Sequence, residues 1–265
     1  MKHTYFLFLL FLFSCKKEND LIPGYINIDS IELNDQSSEN ITDAWIFIND
    51  NLQGVYELPA QFPVLNLNNF TLRIKAGIKN NGIASSRTPY PFYSSFLNDV
   101  KLDANKTINI TPTVEYLENL SFFLEDFENG INLSRSSISD TSIIILSDGN
   151  NNYGAGILSD SLITFEITTD PITDLPQQGA PVFLELDYKS NTEFLVGVYI
   201  NYSLVVKRDL LWVNPKDSWN KIYINLTQII SEGINAPSFS IFVGMKRNFL
   251  LEKNELYLDN LKVVY

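Results

Sequence analysis

Tyr25-Ile26-Asn27-Ile28-Asp29 and Thr107-Ile108-Asn109-Ile110-Thr111 alternate apolar and polar residues without a break. A period of two places every apolar side chain on one face of a strand, which is the mark of a half-buried β-strand. Working outward, the same reading predicts strands over 25–33, 44–48, 55–58, 70–78, 92–102 and 107–114. It predicts a second series over 121–127, 142–146, 154–166, 182–188, 194–201, 203–206, 219–226, 238–246 and 256–264. Only 226–230 reads as a helical turn. Asn49-Asp50-Asn51 between two apolar runs is a hairpin signal, and Asn150-Asn151-Asn152 reads as a loop tip. The expected fold is all-β: a small N-terminal β-sandwich, Ig-like or similar, over 24–116, then a larger sandwich over 120–265. The number and even spacing of the later strands suggest a jelly roll. The link between them is short, so the two sandwiches are expected to touch.

The chain has 265 residues, 45% of them hydrophobic, so a sizeable core can form. Its formal net charge is −12. A surface that acidic repels phosphate backbones, which argues against nucleic acid as a partner.

Residues 1–14 start with Lys2 and continue in an apolar run from Tyr5 to Phe13, nine residues long. That run is too short to span a bilayer, for which about 20 residues are needed. It fits the apolar core of a secretory signal peptide. Leu12-Phe13-Ser14-Cys15 resembles the lipobox of bacterial lipoproteins, which implies cleavage before Cys15, lipidation of Cys15 and a tether over 15–23. Several acyl chains on one residue give stable anchoring. Lys16, Lys17, Glu18, Asn19 and Asp20 resemble the export signal that carries Bacteroidetes lipoproteins to the cell surface. The expected location is therefore the outer membrane, lipid-anchored and facing outward.

His3 is the sole histidine and Cys15 the sole cysteine. Cleavage and lipidation would leave no histidine and no free thiol. Ser-His-Asp and Cys-His devices, zinc sites of His and Cys, and internal disulfides are then ruled out. Two carboxylates alone can cleave a sugar bond. The closest match to the alternating acids of laminarinase-like jelly rolls is Glu185-Leu186-Asp187-Tyr188, which lacks the third acid. The preferred reading is two carboxylates on the solvated face of an amphipathic strand.

Residues 43–93, with Ala76-Gly77-Ile78-Lys79-Asn80-Asn81-Gly82 and Tyr90-Pro91-Phe92-Tyr93, resemble a family of Bacteroidetes surface lipoproteins, which implies a location and no activity. Phe123-Leu124-Glu125-Asp126-Phe127-Glu128-Asn129-Gly130, Trp219-Asn220-Lys221-Ile222-Tyr223-Ile224-Asn225-Leu226 and Glu255-Leu256-Tyr257-Leu258-Asp259-Asn260-Leu261 resemble strands of galactose-binding-like and carbohydrate-binding jelly rolls. That resemblance implies neighbouring first and last strands and a structural Ca²⁺ site at Asp126, Glu128 and Asp259. It also points to exposed aromatic rings as sugar contacts, for which Trp212, Tyr202 and Tyr153 are the candidates, with Arg208 beside them to supply hydrogen bonds. Trp45 and Trp219 read as core residues, and Trp212 as either core or exposed. The first functional expectation is a non-catalytic accessory or scaffold subunit of an outer-membrane protein complex. The alternatives are a polysaccharide-binding lipoprotein and, last, a carboxylate-only glycoside hydrolase.

Overall fold

The computed structural model describes residues 22–265 other than 36, 66 and 67. Cys15, with the expected leader before it and most of the expected tether after it, lies outside the described residues. The described residues are all-β, two packed sandwiches with one short helix among them.

The first sandwich is built from β1 (Gly24–Ile28), β2 (Glu32–Leu33), β3 (Asp43–Ile48), β4 (Asn51–Glu57) and β5 (Ala60–Val64). It continues with β6 (Asn68–Lys79), β7 (Arg87–Pro89), β8 (Ser95–Leu102), β9 (Thr107–Asn109) and β10 (Thr113–Val114). One sheet has the order β5-β1-β9. The facing sheet runs β4-β3-β6-β7, with β8 also on β6. The alternation in 25–29 delivers Ile26 and Ile28 to the core, where they meet Ile46, Leu72 and Ile74. Asn49 and Asp50 both take positive φ, 48° and 64°. Two such residues give the tight turn that the twist of a β3–β4 hairpin needs.

The second sandwich contains β11 (Phe122–Glu125), β12 (Leu133–Arg135), β13 (Ile144–Ser147), β14 (Asn152–Leu158), β15 (Thr164–Thr169) and β16 (Phe183–Ser190). Then come β17 (Phe194–Asn201), β18 (Val205–Val213), β19 (Lys216–Asn225), α1 (Thr227–Glu232), β20 (Ser238–Lys246) and β21 (Asn254–Val264). One sheet has the order β13-β14-β21-β16-β19, with β11 also on β21. The other runs β12-β15-β20-β17-β18. Phe165, Leu184, Phe194, Ile224, Phe239 and Val263 are among the side chains that fill the space between them. First and last strands are neighbours, Phe122 opposite Val264.

The long run 154–166 is not one strand. It turns at 159–163 and passes from one sheet to the other, because Leu158 must reach the core from β14 and Phe165 from β15. Strand β18 runs on to Val213, well beyond the predicted end at 206, which brings Trp212 into the sheet edge.

The two sandwiches share a buried boundary. Phe183, Tyr223 and Val264 leave the outer face of the β16–β19–β21 sheet and join the first core, beside Tyr90, Phe92 and Tyr93. Tyr90 meets Phe183 edge to face at 5.3 Å, and its ring lies 4.8 Å from that of Tyr223. This explains why β16 is buried along both faces.

Candidate functional site

The Glu185 and Asp187 pair shares one strand face, as the alternation requires, but that face is not solvated. Glu185 is fully buried and Asp187 nearly so. The N-terminal sandwich covers them. Tyr90 donates its hydroxyl to Glu185 at 2.7 Å, and Tyr116 donates to both carboxylate oxygens at 2.9 and 2.8 Å. Lys221 Nζ closes the set at 3.0 Å. Burial, then the neighbouring Glu185 charge, pushes the Tyr90 and Tyr116 phenols far above their ordinary pKa, so both remain proton donors. Water and substrate have no path to this carboxylate, and the pair that prompted the hydrolase reading is an interdomain clamp.

The three residues proposed for calcium do not form one ligand set, although Glu128 lies near Asp259. Asp126 turns back to accept the backbone N–H of Glu128 at 3.1 Å. Glu128 accepts the backbone N–H and side-chain amide of Asn152 at 2.8 and 3.0 Å. Asp259 accepts from Asn151 and from the N–H of Asn260 at 2.8 and 2.7 Å. Among the described residues no group of three His, Cys, Asp or Glu side chains could hold a metal ion. Burial, with the nearby Asp187 and Glu128 charges adding to it, raises the Asp259 carboxyl to about 6.

The four proposed sugar contacts separate as well. Tyr202 sits in the β17–β18 hairpin and donates to the carbonyl of Ile234 at 3.0 Å. Tyr153 belongs to the other sheet. There its ring meets Trp219 at 5.4 Å and Tyr257 at 5.8 Å, both edge to face. Trp219 is 44% exposed in this cluster, so the core reading for it is wrong. Its strand is amphipathic, and Trp219 shares the outward face with Lys221 and Tyr223 rather than the inward face with Ile222 and Ile224. Trp45 is likewise on an outer face, only part-buried, lying against Gly77, where a Cβ would come within 2.8 Å of its ring.

Trp212 is the candidate that the structure sets in a cleft. It is 47% exposed on β18, the edge strand of its sheet. After Val213 the chain passes through Asn214 and Pro215 and enters β19, the edge strand of the opposite sheet. Trp212 therefore stands at the open side of the sandwich. It lines a hollow of about 520 Å³ together with Asn81, Asn214, Lys216 and Asn220. On its other side is a hollow of about 370 Å³ with Asn191, Thr192, Glu193, Lys246 and Asn248. Trp212 and Pro215 belong to both.

The far wall of the larger hollow comes from the first sandwich. The tip of the β6–β7 hairpin is laid against β19. Asn81 donates its backbone N–H to the carbonyl of Tyr223 at 2.9 Å, and its side chain accepts from the N–H of Asn225 at 2.8 Å. Asn81 and Gly82 both have positive φ, 56° and 68°. Glycine suits the second position because of that φ, and a Cβ on Gly82 would also press on Ile222 Cδ1 at 2.9 Å. Asn40 fixes a second segment of the first sandwich to β19 through the carbonyl of Lys221 at 2.8 Å. Arg208 lines a third hollow, of about 780 Å³, which meets the first at Asn81.

The site thus offers one aromatic face and a set of amides along a cleft. The signals for it in the sequence were Trp212 and, lining the adjoining hollow, Arg208. The hairpin wall could not be read from residues 130 positions away.

No family model matches the chain, and no curated protein does. Among solved structures, one of the carbohydrate-binding modules from the β-sandwich superfamily is similar at 12% identity, covering 92% of this chain and 98% of that one, with a TM-score of 0.43. The family 11 carbohydrate-binding module of Clostridium thermocellum, in complex with a β-1,3-1,4-mixed-linked tetrasaccharide, matches at 15% identity over 54% of this chain and 94% of its own, TM-score 0.37. The K2 cleaved adhesin domain of Lys-gingipain matches at 10% identity over 54% and 97%, TM-score 0.39. At TM-scores under 0.5 these likenesses decide neither ligand nor mechanism, which must come from the chain's own geometry.

Proposed function

We propose that the protein is a non-catalytic glycan-binding lipoprotein, tethered to the outer membrane through lipid on Cys15 and exposed at the cell surface. The observation that carries the binding half is Trp212, half in water and flanked by two amide-lined hollows. An indole face covers the apolar side of a pyranose ring, while amides on either side bond its hydroxyls. A tryptophan held in such a place, among amides and with Glu193 as the single carboxylate lining the two hollows, suits recognition rather than bond cleavage, which takes a pair of acids.

Electrophoresis through gels containing dissolved polysaccharides tests this. At least one polysaccharide should retard the protein, and Trp212→Ala should weaken that retardation at least about tenfold, as for a central aromatic contact. A variant that binds as well as the parent would sink the reading. Mass spectrometry of the N-terminal peptide tests the anchor: acyl chains on Cys15 are expected, and an unmodified thiol refutes them.

The accessory-subunit reading has its own surface. Tyr153, Trp219 and Tyr257 form an aromatic patch on the opposite sheet, with Trp219 on the same strand as the cleft-lining Lys216 and Asn220. Trp219→Ala would then release an outer-membrane partner from the purified complex while polysaccharide retardation is unchanged. Equal partner recovery from parent and variant rejects that surface.

A further inference from the structure

The charges around Trp212 run against those of the whole chain. The formal net charge is −12, with 31 acidic and 19 basic residues. The hollow of about 520 Å³ is nevertheless lined by Lys79, Lys216 and Lys221 and by no Asp or Glu. Lys221 is spoken for, since it is buried against Glu185. Lys216 is exposed and has no ion-pair partner among the described residues. Lys79 reaches Glu57 only at 3.9 Å, and that carboxylate is itself 63% exposed. A surface pair of that length contributes little and is readily exchanged for another anion.

The two available lysines stand on opposite walls. Lys79 ends β6 in the N-terminal sandwich, and Lys216 begins β19 in the C-terminal one. Trp212 stands in the same hollow. A low-dielectric cleft of one charge sign concentrates counter-charged ligands.

We infer that this cleft selects polysaccharides carrying carboxylate or sulfate groups, with Lys79 and Lys216 clamping the anionic groups while Trp212 packs on a ring. The inference rests on the glycan reading of Trp212 and adds the class of glycan. It also makes the site a joint product of both sandwiches, since neither alone supplies both lysines.

The test is titration calorimetry of the full chain with three probes of matched length: a polyuronate, a sulfated galactan and a neutral galactan. The acidic probes should bind at least about tenfold more tightly than the neutral one, the size expected for contacts to charged groups. That advantage should shrink with added salt. Lys79→Gln/Lys216→Gln should abolish the advantage, and Lys79→Arg/Lys216→Arg should restore most of it. Unchanged unfolding midpoints show that these variants are folded. Preference for the uronate or for the sulfate tells which anion is recognised.

Equal affinity for acidic and neutral probes, or a preference that survives the double glutamine variant, overturns the selection while Trp212-dependent binding keeps the glycan reading. Failure of every polysaccharide removes both. Binding of a single-stranded oligonucleotide that depends on Trp212 and the two lysines would also overturn the inference, by assigning the cleft to nucleic acid.

Discussion

Lys216 and Lys221 lie on the same strand, β19, yet they occupy opposite environments. Lys221 is 5% exposed and is one member of a closed set with Glu185, Tyr90 and Tyr116. Lys216 projects into the Trp212 cleft with no ion-pair partner among the described residues. The same pair of sandwiches makes both regions. In the sealed region, the Glu185 charge brought out of water has been met by Lys221 and two phenol hydroxyls, as burial demands. In the open region Asn81 and Trp212 line a common hollow, and Lys216 there keeps its capacity to bond something else. A lysine does not by itself mark a site. What distinguishes the two regions is whether the fold has already supplied the counter-charge.

The largest expected effect would break the sealed side. Glu185→Ala leaves Lys221 buried and unpaired, and should cost about 3–5 kcal/mol in urea unfolding. A loss below about 1 kcal/mol would mean that water reaches Lys221 and that the interface is open in solution.

Asp259 sharpens the contrast from the border of the sealed face. Its carboxyl is raised to about 6 by burial, then by the neighbouring acids. In the unfolded chain it titrates near 3.9. The folded state therefore holds the proton more tightly, and this residue's contribution is best below about pH 4. It is lost as pH rises to about 6 and stays lost above. Asp259→Asn should gain about 2 kcal/mol relative to the parent at pH 7 and nothing at pH 4. A difference that does not change with pH would refute the burial of this charge.

Tyr90→Phe removes one of the hydroxyls on Glu185 with little change of shape, and should cost about 1–2 kcal/mol. If the loss equals that of Glu185→Ala, the clamp acts as one unit. The smallest effect belongs to the open side. Lys216→Gln should leave the unfolding midpoint within about 0.5 kcal/mol of the parent, as for an exposed side chain without a structural partner. A large loss there would show that the cleft, too, is structurally satisfied.

Much of the architecture was legible along the chain. Ile26 and Ile28 are inside because they alternate with Tyr25 and Asn27, and no distant residue was needed to see it. Asn49 and Asp50 turn the β3–β4 hairpin for a local reason, their tolerance of positive φ. Helix α1 begins one residue from where it was expected. The short strands β5, β7 and β12 were missed, since three to five residues carry little periodicity. The readings that failed concern what lies over a strand face. Glu185 alternates like a solvated acid and Trp219 looks like a core residue, and each is found in the environment expected of the other.

The amino-acid sequence by itself determined the all-β character, the turns and the scarcity of histidine and thiol chemistry. Each of these is a property of near neighbours or of composition. Tertiary structure alone decided which polar face is covered, which tryptophan is left in water and which lysines keep their charge available. The reason is that alternation groups residues onto a face, whereas the partner that covers the face comes from a segment remote in the chain. Tyr90 is 95 positions from Glu185, and Asn81 is 144 from Asn225.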